Sequence, residues 1–428
     1  MCGIAGVITR EGFPELREAL LRMVRAQTHR GPDDEGIKVF GARGEVLGKD
    51  GPRAEGPHVA LGSRRLAIID LSSSGHQPMT NEDGTLWIVY NGEIYNFMEL
   101  RQDLLSKGHK FRSNTDTEVI LHLYEQYGEG CLKYLRGMFA FGMWDKRNRC
   151  LFIARDRLGK KPLYYSWDGK RFLFASEIKA LLASDLVERR LNPAAVVAYL
   201  TFGSVPVPVT IIKGIEALLP GCYLKYQVGR VELKRYWHIP FSENPDLSEA
   251  ETIETLRGLL EEAVRLRLVS DVPIGAFLSG GIDSSVIVAL MRKITGGSIR
   301  TFSMTFREQE FSEACFAEQV ARKFGTEHTE YVVTAEEVRN ELEKIVWAMD
   351  QPTVDGVNTY FVSKVARQSG TVVALSGLGG DELFGGYSSF LLVPRLCRVS
   401  RLVRAIPGGR RALERVLGRP GQTRNPAN

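Results

Sequence analysis

The stretch AFLSGGIDSSVIVALMRK, residues 276–293, decides the architecture of the C-terminal half. An apolar run ends at Leu278, a Ser/Gly loop follows, and VIVALMRK continues with helical character. A Gly-rich loop between a strand's C-terminal end and a helix N-terminus presents backbone N–H groups and the helix dipole to an anion. The loop has no Walker lysine, which excludes a P-loop of the kinase type. Further on, TVVALSGLGGDELFGGY (371–387) repeats the pattern of a strand followed by a glycine loop. It is not a dinucleotide fingerprint, because Glu382 stands where G-x-G-x-x-G requires glycine. PIGAFL, IRTFSMTF, HTEYVV and TVVAL are short β-rich runs separated by helical segments, which predicts a parallel sheet with crossover helices.

Upstream, IPFSENPDLSEA (239–250) is polar and proline-containing, as a linker is. Ser248 precedes Glu251 by capping-box spacing and opens a helix expected to run to about Leu268. The expected division is therefore residues 1–235, a linker at 236–247, and an α/β domain at 248–428. The first part is strand-rich, with hairpin patterns around Lys146–Arg149 and Asp168–Lys170. Helical periodicity marks 14–28, 97–107 and 117–127. Together these predict an α+β sandwich of antiparallel sheets with outer helices.

Of the 428 residues, 44% are hydrophobic and 25% charged, the composition of a globular chain. The net charge of +5 is concentrated beyond Pro394, where nine arginines face one acid. The remainder is mildly acidic and lacks the basic face that nucleic-acid binding needs. Six cysteines without a C-x-x-C pair argue against a disulfide framework or a zinc site and fit a reducing cytoplasm. No apolar run reaches the ~20 residues that span a bilayer. The expected partners are small molecules, with no nucleic acid and no membrane, and the candidate assembly is a homodimer.

The chain starts MCGIAGVIT. Removal of Met1 would place a thiol and a free α-amine on one residue, Cys2. With intrinsic pKa values of about 8.5 and about 7.7–8.0, the amine can take the thiol proton near neutrality. That is the logic of N-terminal nucleophiles. Six motifs follow in order: HRGPDDEG (29–36), SRRLAIID (63–70), YNGEIYN (90–96), SNTDTE (113–118), GMFAF (137–141) and RDRLGKKPLYY (155–165). Together they resemble the class II glutamine amidotransferases, the N-terminal nucleophile glutaminases. The resemblance implies that glutamine's carboxylate meets Arg65 with backbone from Leu66 and Ile68, and its ammonium meets Asp116 and Glu93. Asn91 and Gly92 would form the oxyanion hole, although an Asn-Gly pair alone suggests a hairpin turn. Arg30 is expected beside Cys2, and RDRLGKKPLYY is read as mainly architectural.

SGGIDSS (279–285) resembles the PP-loop of ATP pyrophosphatases, and the whole chain resembles glutamine-hydrolysing asparagine synthetases. This implies ATP contacts from Leu278, Ser279, Gly280, Gly281, Asp283, Ser284, Ser285, Met304, Ser376 and Gly377. Asp283 and Asp381 are the Mg²⁺ candidates, with Glu382 nearby. The implied reaction joins ammonia from L-glutamine to ATP-activated L-aspartate, giving L-asparagine, L-glutamate, AMP and pyrophosphate. Two departures stand out. Leu378 replaces an acid found in many relatives, which leaves open a different acceptor carboxylate, as in surface-polymer biosynthesis. Nothing after Tyr387 matches the family's later segments, so the synthetase domain is expected to be incomplete at its C-terminus, and a fragment active only as a glutaminase is the other alternative.

Overall fold

The protein is described by a computed structural model covering residues 1–10, 15–41, 44–47, 58–240, 247–306 and 314–405. The N-terminal part contains β1 (Gly3–Thr9), α1 (Leu16–Arg25), β2 (Asp34–Phe40), β3 (His58–Arg65), β4 (Met79–Thr80) and β5 (Leu86–Ile94). Next come α2 (Phe97–Ser106), α3 (Asp116–Tyr127), β6 (Gly137–Asp145), β7 (Cys150–Arg155), β8 (Tyr164–Trp167) and β9 (Arg171–Ala175). It ends with α4 (Ile178–Ala183), α5 (Pro193–Phe202), β10 (Glu216–Ala217), β11 (Cys222–Gln227) and β12 (Arg230–Arg235).

These strands form two six-stranded antiparallel sheets, in the orders β10-β8-β9-β1-β3-β2 and β12-β11-β7-β6-β5-β4. Ile4 and Ile8 of the first sheet pack with Val89, Ala140 and Ile153 of the second, so the two stack face to face. Helix α1 covers the outer face of the first sheet through Leu16, Leu20 and Met23. Helix α3 covers the second through Val119, Ile120 and Leu123. All seven residues of β1 are buried, because helix and opposing sheet cover both its sides. That is why GIAGVIT is apolar up to Thr9 rather than alternating. At the centre, Phe174 fills the space left by Gly6 of its own sheet and Gly142 of the other. A Cβ on either glycine would overlap its ring.

The expected hairpins are present as β6–β7 and β8–β9. Helices α4 and α5 were not apparent in the sequence. Helix α5, PAAVVAYLTF, is apolar all round and so shows no helical period.

The second part contains α6 (Glu249–Arg267), β13 (Ile274–Phe277), α7 (Ile282–Thr295), β14 (Arg300–Phe306), α8 (Ala314–Phe324) and β15 (Glu327–Val333). It continues with α9 (Ala335–Met349), α10 (Gly356–Gln368), β16 (Val373–Leu375), α11 (Gly380–Phe384) and α12 (Ser389–Ala405). Its four strands are parallel, in the order β15-β14-β13-β16, as the alternating pattern predicts. The strand order reverses beside β13, so the C-terminal ends of β13 and β16 open a crevice. Ser248 and Glu251 form the capping box at the start of α6. Residues 241–246 of the expected linker lie outside the described residues, as does the basic tail from 406 onward. Along α12, Leu391, Leu396 and Leu402 are exposed.

Phe174 is fully buried between the sheets. Phe174→Ala should therefore lower the unfolding free energy of the first domain by about 3–5 kcal/mol, measured as a urea midpoint shift at unchanged slope. A loss below about 1 kcal/mol would mean that this site collapses freely and the packing described is wrong.

Candidate active sites

Cys2 stands immediately before β1, and the pairing of Gly3 with Arg64 brings the residue after β3 up to its thiol. Leu66 N–H points at Cys2 Sγ at 3.4 Å, and the thiol faces Leu66 O at 3.7 Å. Arg30 Nε donates to Cys2 O at 2.9 Å while its Nη1 bonds Glu177 Oε1 at 3.1 Å. The arginine therefore holds the backbone of Cys2, and Glu177 takes up its charge. Met1 is half exposed, yet its amine is enclosed, and burial pushes that amine down to about 5.

The thiol opens onto a pocket shared with Arg65, Leu66, Ile68, Asn91, Gly92, Glu93 and Asp116. The structure thus brings together every glutamine-site residue expected from the sequence. Asn91-Gly92 is not a turn. Both residues lie inside β5, opposite Ala140 and Phe139. Any side chain at position 92 would run into Met138 O and the Phe139 backbone, so only glycine fits. Asn91 is 1% exposed, and neither its Nδ2 nor its Oδ1 has a protein partner. A buried amide left unpaired costs about 1–3 kcal/mol, so an orphan aimed at a pocket is a donor kept for something that enters it.

The charges differ across the pocket. Asp116 begins α3, and its Oδ2 accepts from Tyr90 OH at 2.7 Å and Ile94 N–H at 2.8 Å. Burial raises its carboxyl, opposed by those hydrogen bonds. Glu93 is pushed up to about 7 by burial, with Lys161 opposing and Asp116 reinforcing the rise. Arg65 directs Nη1 to Ser72 O at 3.0 Å and Nη2 to Ile69 O and Asp70 O, which fixes its guanidinium on the loop beyond β3.

Lys161 was not singled out from the sequence. It is 6% exposed, lines the pocket, and among the described residues its ammonium has no ion pair or hydrogen bond. Burial lowers it, against the pull of Glu93 and Cys2. Its backbone is clamped by Asp156 Oδ2 at 3.0 Å and by Arg155 Nε at 2.8 Å. RDRLGKKPLYY is thus architectural, as expected, but it also delivers a cation to the pocket.

In the second domain the two glycine loops face each other across a cleft of about 700 Å³. Ser279, Gly281, Asp283, Ser284, Ser376, Gly377 and Asp381 line it. Leu278, Ser279, Met304 and Ser376 line an adjoining recess of about 510 Å³. Gly280 and Ser285 line neither. Gly280, at φ +86°, packs on the backbone of Phe316 and Ala317, and Ser285 Oγ donates to Gly281 O at 2.7 Å, so both shape the loop. Glu382 does not line the cleft either, and it accepts from Tyr387 OH at 2.9 Å. A side chain at Gly377 or Gly380 would collide with the 283–284 segment, which explains both glycines. Among the described residues, neither the Asp283 nor the Asp381 carboxylate has a cationic or hydrogen-bonding partner. Two unpaired carboxylates beside an anion-binding loop are a donor set that suits a divalent cation. Leu378 is 83% exposed and borders both recesses.

A thiol at the N-terminal edge of a two-sheet sandwich, joined to a parallel-sheet domain with a glycine loop, defines a glutamine amidotransferase fused to an ATP-using domain. Its relatives fall in the same class. Residues 1–237 match the glutamine amidotransferase domain family, and residues 255–422 match the asparagine synthase family. A putative glutamine-hydrolysing asparagine synthetase (number 2) of Methanocaldococcus jannaschii is 40% identical over 412 residues, covering 91% of this chain and 76% of that one. Asparagine synthetase 1 of Bacillus subtilis, also named glutamine-hydrolysing, is 39% identical over 396 residues, covering 91% and 59%. Amidase chry2 of Gibberella zeae is 33% identical over 421 residues, covering 91% and 60%. The chain belongs to the glutamine-hydrolysing asparagine synthetase family. It spans between 59% and 76% of the length of these relatives.

Of the cations that oppose the effect of burial on Glu93, Lys161 acts most strongly, ahead of the chain's amine and Arg267. In Lys161→Met the Glu93 carboxyl should titrate higher than in the wild type, as followed by carboxyl-carbon NMR. A titration that is unchanged or lower would show that the two groups do not share the pocket.

Proposed function

We propose that the first domain hydrolyses L-glutamine at Cys2 and that the second uses ATP to activate L-aspartate, which the released ammonia converts to L-asparagine. The observation that carries this reading is the unpartnered, buried Asn91 amide in one pocket with the Cys2 thiol.

Once Met1 is removed, the α-amine of Cys2 accepts the thiol proton. Sγ then attacks the carboxamide carbon of glutamine. The developing oxyanion is met by Asn91 Nδ2 and the Gly92 N–H, a type of contact worth about 2.7–4 kcal/mol in the transition state. Collapse breaks the C–N bond, and the nitrogen leaves as ammonia with the proton held by the amine. Water cleaves the thioester to glutamate and restores the thiol. Arg65 would orient the substrate carboxylate, while Asp116 and ionised Glu93 would hold its ammonium.

In the second domain the 279–285 loop would receive phosphate oxygens at the N-terminus of α7. Leu278 and Met304 would flank the nucleoside, with Ser376 and Gly377 on the adenylate side. Asp283 and Asp381 would hold Mg²⁺, which neutralises triphosphate charge. The aspartate β-carboxylate attacks the α-phosphorus and pyrophosphate leaves. Ammonia then attacks the activated carbonyl and AMP leaves, giving asparagine. Exposed Leu378 and the relatives named amidases favour a second reading, in which the acceptor is another carboxylate. The proposed setting is the cytoplasm, supported by six cysteines that are all free. Among the described residues no helix is long and apolar enough to cross a membrane.

Cys2→Ala should abolish glutamine hydrolysis while ammonia-dependent synthesis persists, because the second site takes free ammonia. Wild-type glutaminase activity in that variant would refute the nucleophile assignment. Asp283→Asn should remove acceptor-dependent pyrophosphate release and leave glutamine hydrolysis. A panel of acceptors read by pyrophosphate release separates aspartate from other carboxylates. Unchanged pyrophosphate release in Asp283→Asn would sink the ATP-site reading.

A further inference from the structure

The N-terminus of α4 is capped from the other domain. Glu177, in the N-cap position, makes no capping hydrogen bond. Its carboxylate is turned to Arg30, His29 and Lys179, at 3.1, 3.0 and 3.5 Å. The free N–H groups of Ile178 and Lys179 donate instead to Asp350, at 2.6 and 2.9 Å. Asp350 follows α9 with φ +60°, a backbone conformation that non-glycine residues rarely adopt. Two charge-assisted hydrogen bonds offset that strain.

The same corner grips the first domain at further points. Lys179 Nζ lies 3.8 Å from the centre of the Trp347 ring and donates to Trp347 O at 2.7 Å. His29 packs edge-on against that ring at 4.6 Å. Gln351 Oε1 accepts from Ile211 N–H at 2.9 Å, and Val354 N–H donates to Gly203 O at 3.0 Å.

This corner joins the two sites through short contacts. On one side, Glu177 leads to Arg30 and from there to the Cys2 carbonyl. Ser176 is tied to β1 by reciprocal bonds with Ile4, both at 3.0 Å. On the other side, 347–354 runs straight into α10, whose Asn358, Thr359 and Val362 line the recess beside the nucleotide loops.

We propose that Asp350 is a positioning residue for the Cys2 nucleophile: the α9–α10 corner clamps 176–179 and thereby sets the register of Cys2. The inference rests on the reading of Cys2 as the glutaminase nucleophile and adds the element through which the second domain acts on it. Cys2 is displaced when the clamp is loosened, whereas the Arg65 side of the pocket is held by the loop beyond β3, which the second domain braces through Asp271 rather than Asp350, and Asp116 is held by Tyr90 and Ile94. The effect therefore belongs in kcat and not in KM. A displacement of about 1 Å at a reacting atom is enough for a loss of up to about a hundredfold.

The test uses the full chain with Met1 removed and compares wild type, Asp350→Asn and Asp350→Ala. Glutamine hydrolysis is normalised to the Cys2 thiol that glutamine protects from iodoacetamide, so loss of folded protein does not count. The expected kcat per titratable thiol falls about tenfold to a hundredfold in Asp350→Ala, with Asp350→Asn in between because its amide oxygen still accepts, and KM for glutamine stays within about twofold. Should Asp350→Ala not fold, Lys179→Met, which removes the cation held by Trp347, carries the same expectation. An unchanged kcat per thiol overturns the clamp, and so does a raised KM with unchanged kcat. If wild type itself does not hydrolyse glutamine, the proposed function fails. If wild type is active and the variants match it, only the clamp fails.

Discussion

The ion pair between Arg30 and Glu177, with side chains 8% and 5% exposed, fixes the end of the chain on which the first site depends. A nucleophile that uses its own α-amine as base has no second residue to correct its aim. The terminal residue must be held by its backbone, and Arg30 does so through the Cys2 carbonyl. Removing one partner from such a pair leaves an uncompensated buried charge, which costs far more than the pair contributes. The sandwich is arranged around this requirement. Buried β1 carries Cys2 to the mouth of the pocket, β3 brings the Leu66 backbone to the thiol, and β5 places Asn91 and Gly92 across from it.

The second site follows a different rule. Its geometry comes from a parallel sheet whose order reverses beside β13, so that two strand ends present their loops to one crevice. Close packing of Gly377 and Gly380 against the segment carrying Asp283 locks the loops together. One domain therefore positions a thiol by burying a strand, and the other positions anion donors by leaving strand ends open. The α9–α10 corner is one of the places where the two meet through hydrogen bonds, with Asp271 against the loop beyond β3 and Glu262 against Arg136 as others.

Much of this was legible in the sequence because it is local. The strand–loop–helix around SGGIDSS, the capping box at Ser248 and the hairpins around 146–149 and 168–170 depend on neighbours a few residues apart. Asn91-Gly92 shows where local chemistry misleads. The pair favours a turn, but pairing with Ala140 and Phe139 keeps it inside a strand, and only the surrounding motifs pointed that way. Lys161 was missed because adjacent lysines look alike in sequence. Lys160 is exposed and Lys161 buried, a difference set by how Asp156 folds the loop back on itself. Asp350 gave no signal at all, since its partners lie in another domain more than a hundred residues away.

The chemistry proposed for the first domain requires Cys2 to act as a true N-terminal nucleophile. Intact-mass analysis of the full chain, quenched during turnover with glutamine, addresses that directly. The expected result is a chain without Met1 that transiently gains the mass of one glutamyl group, mapped by peptide digestion to Cys2. A chain that turns over glutamine with Met1 still attached, or one whose glutamyl group maps to another residue, would contradict it.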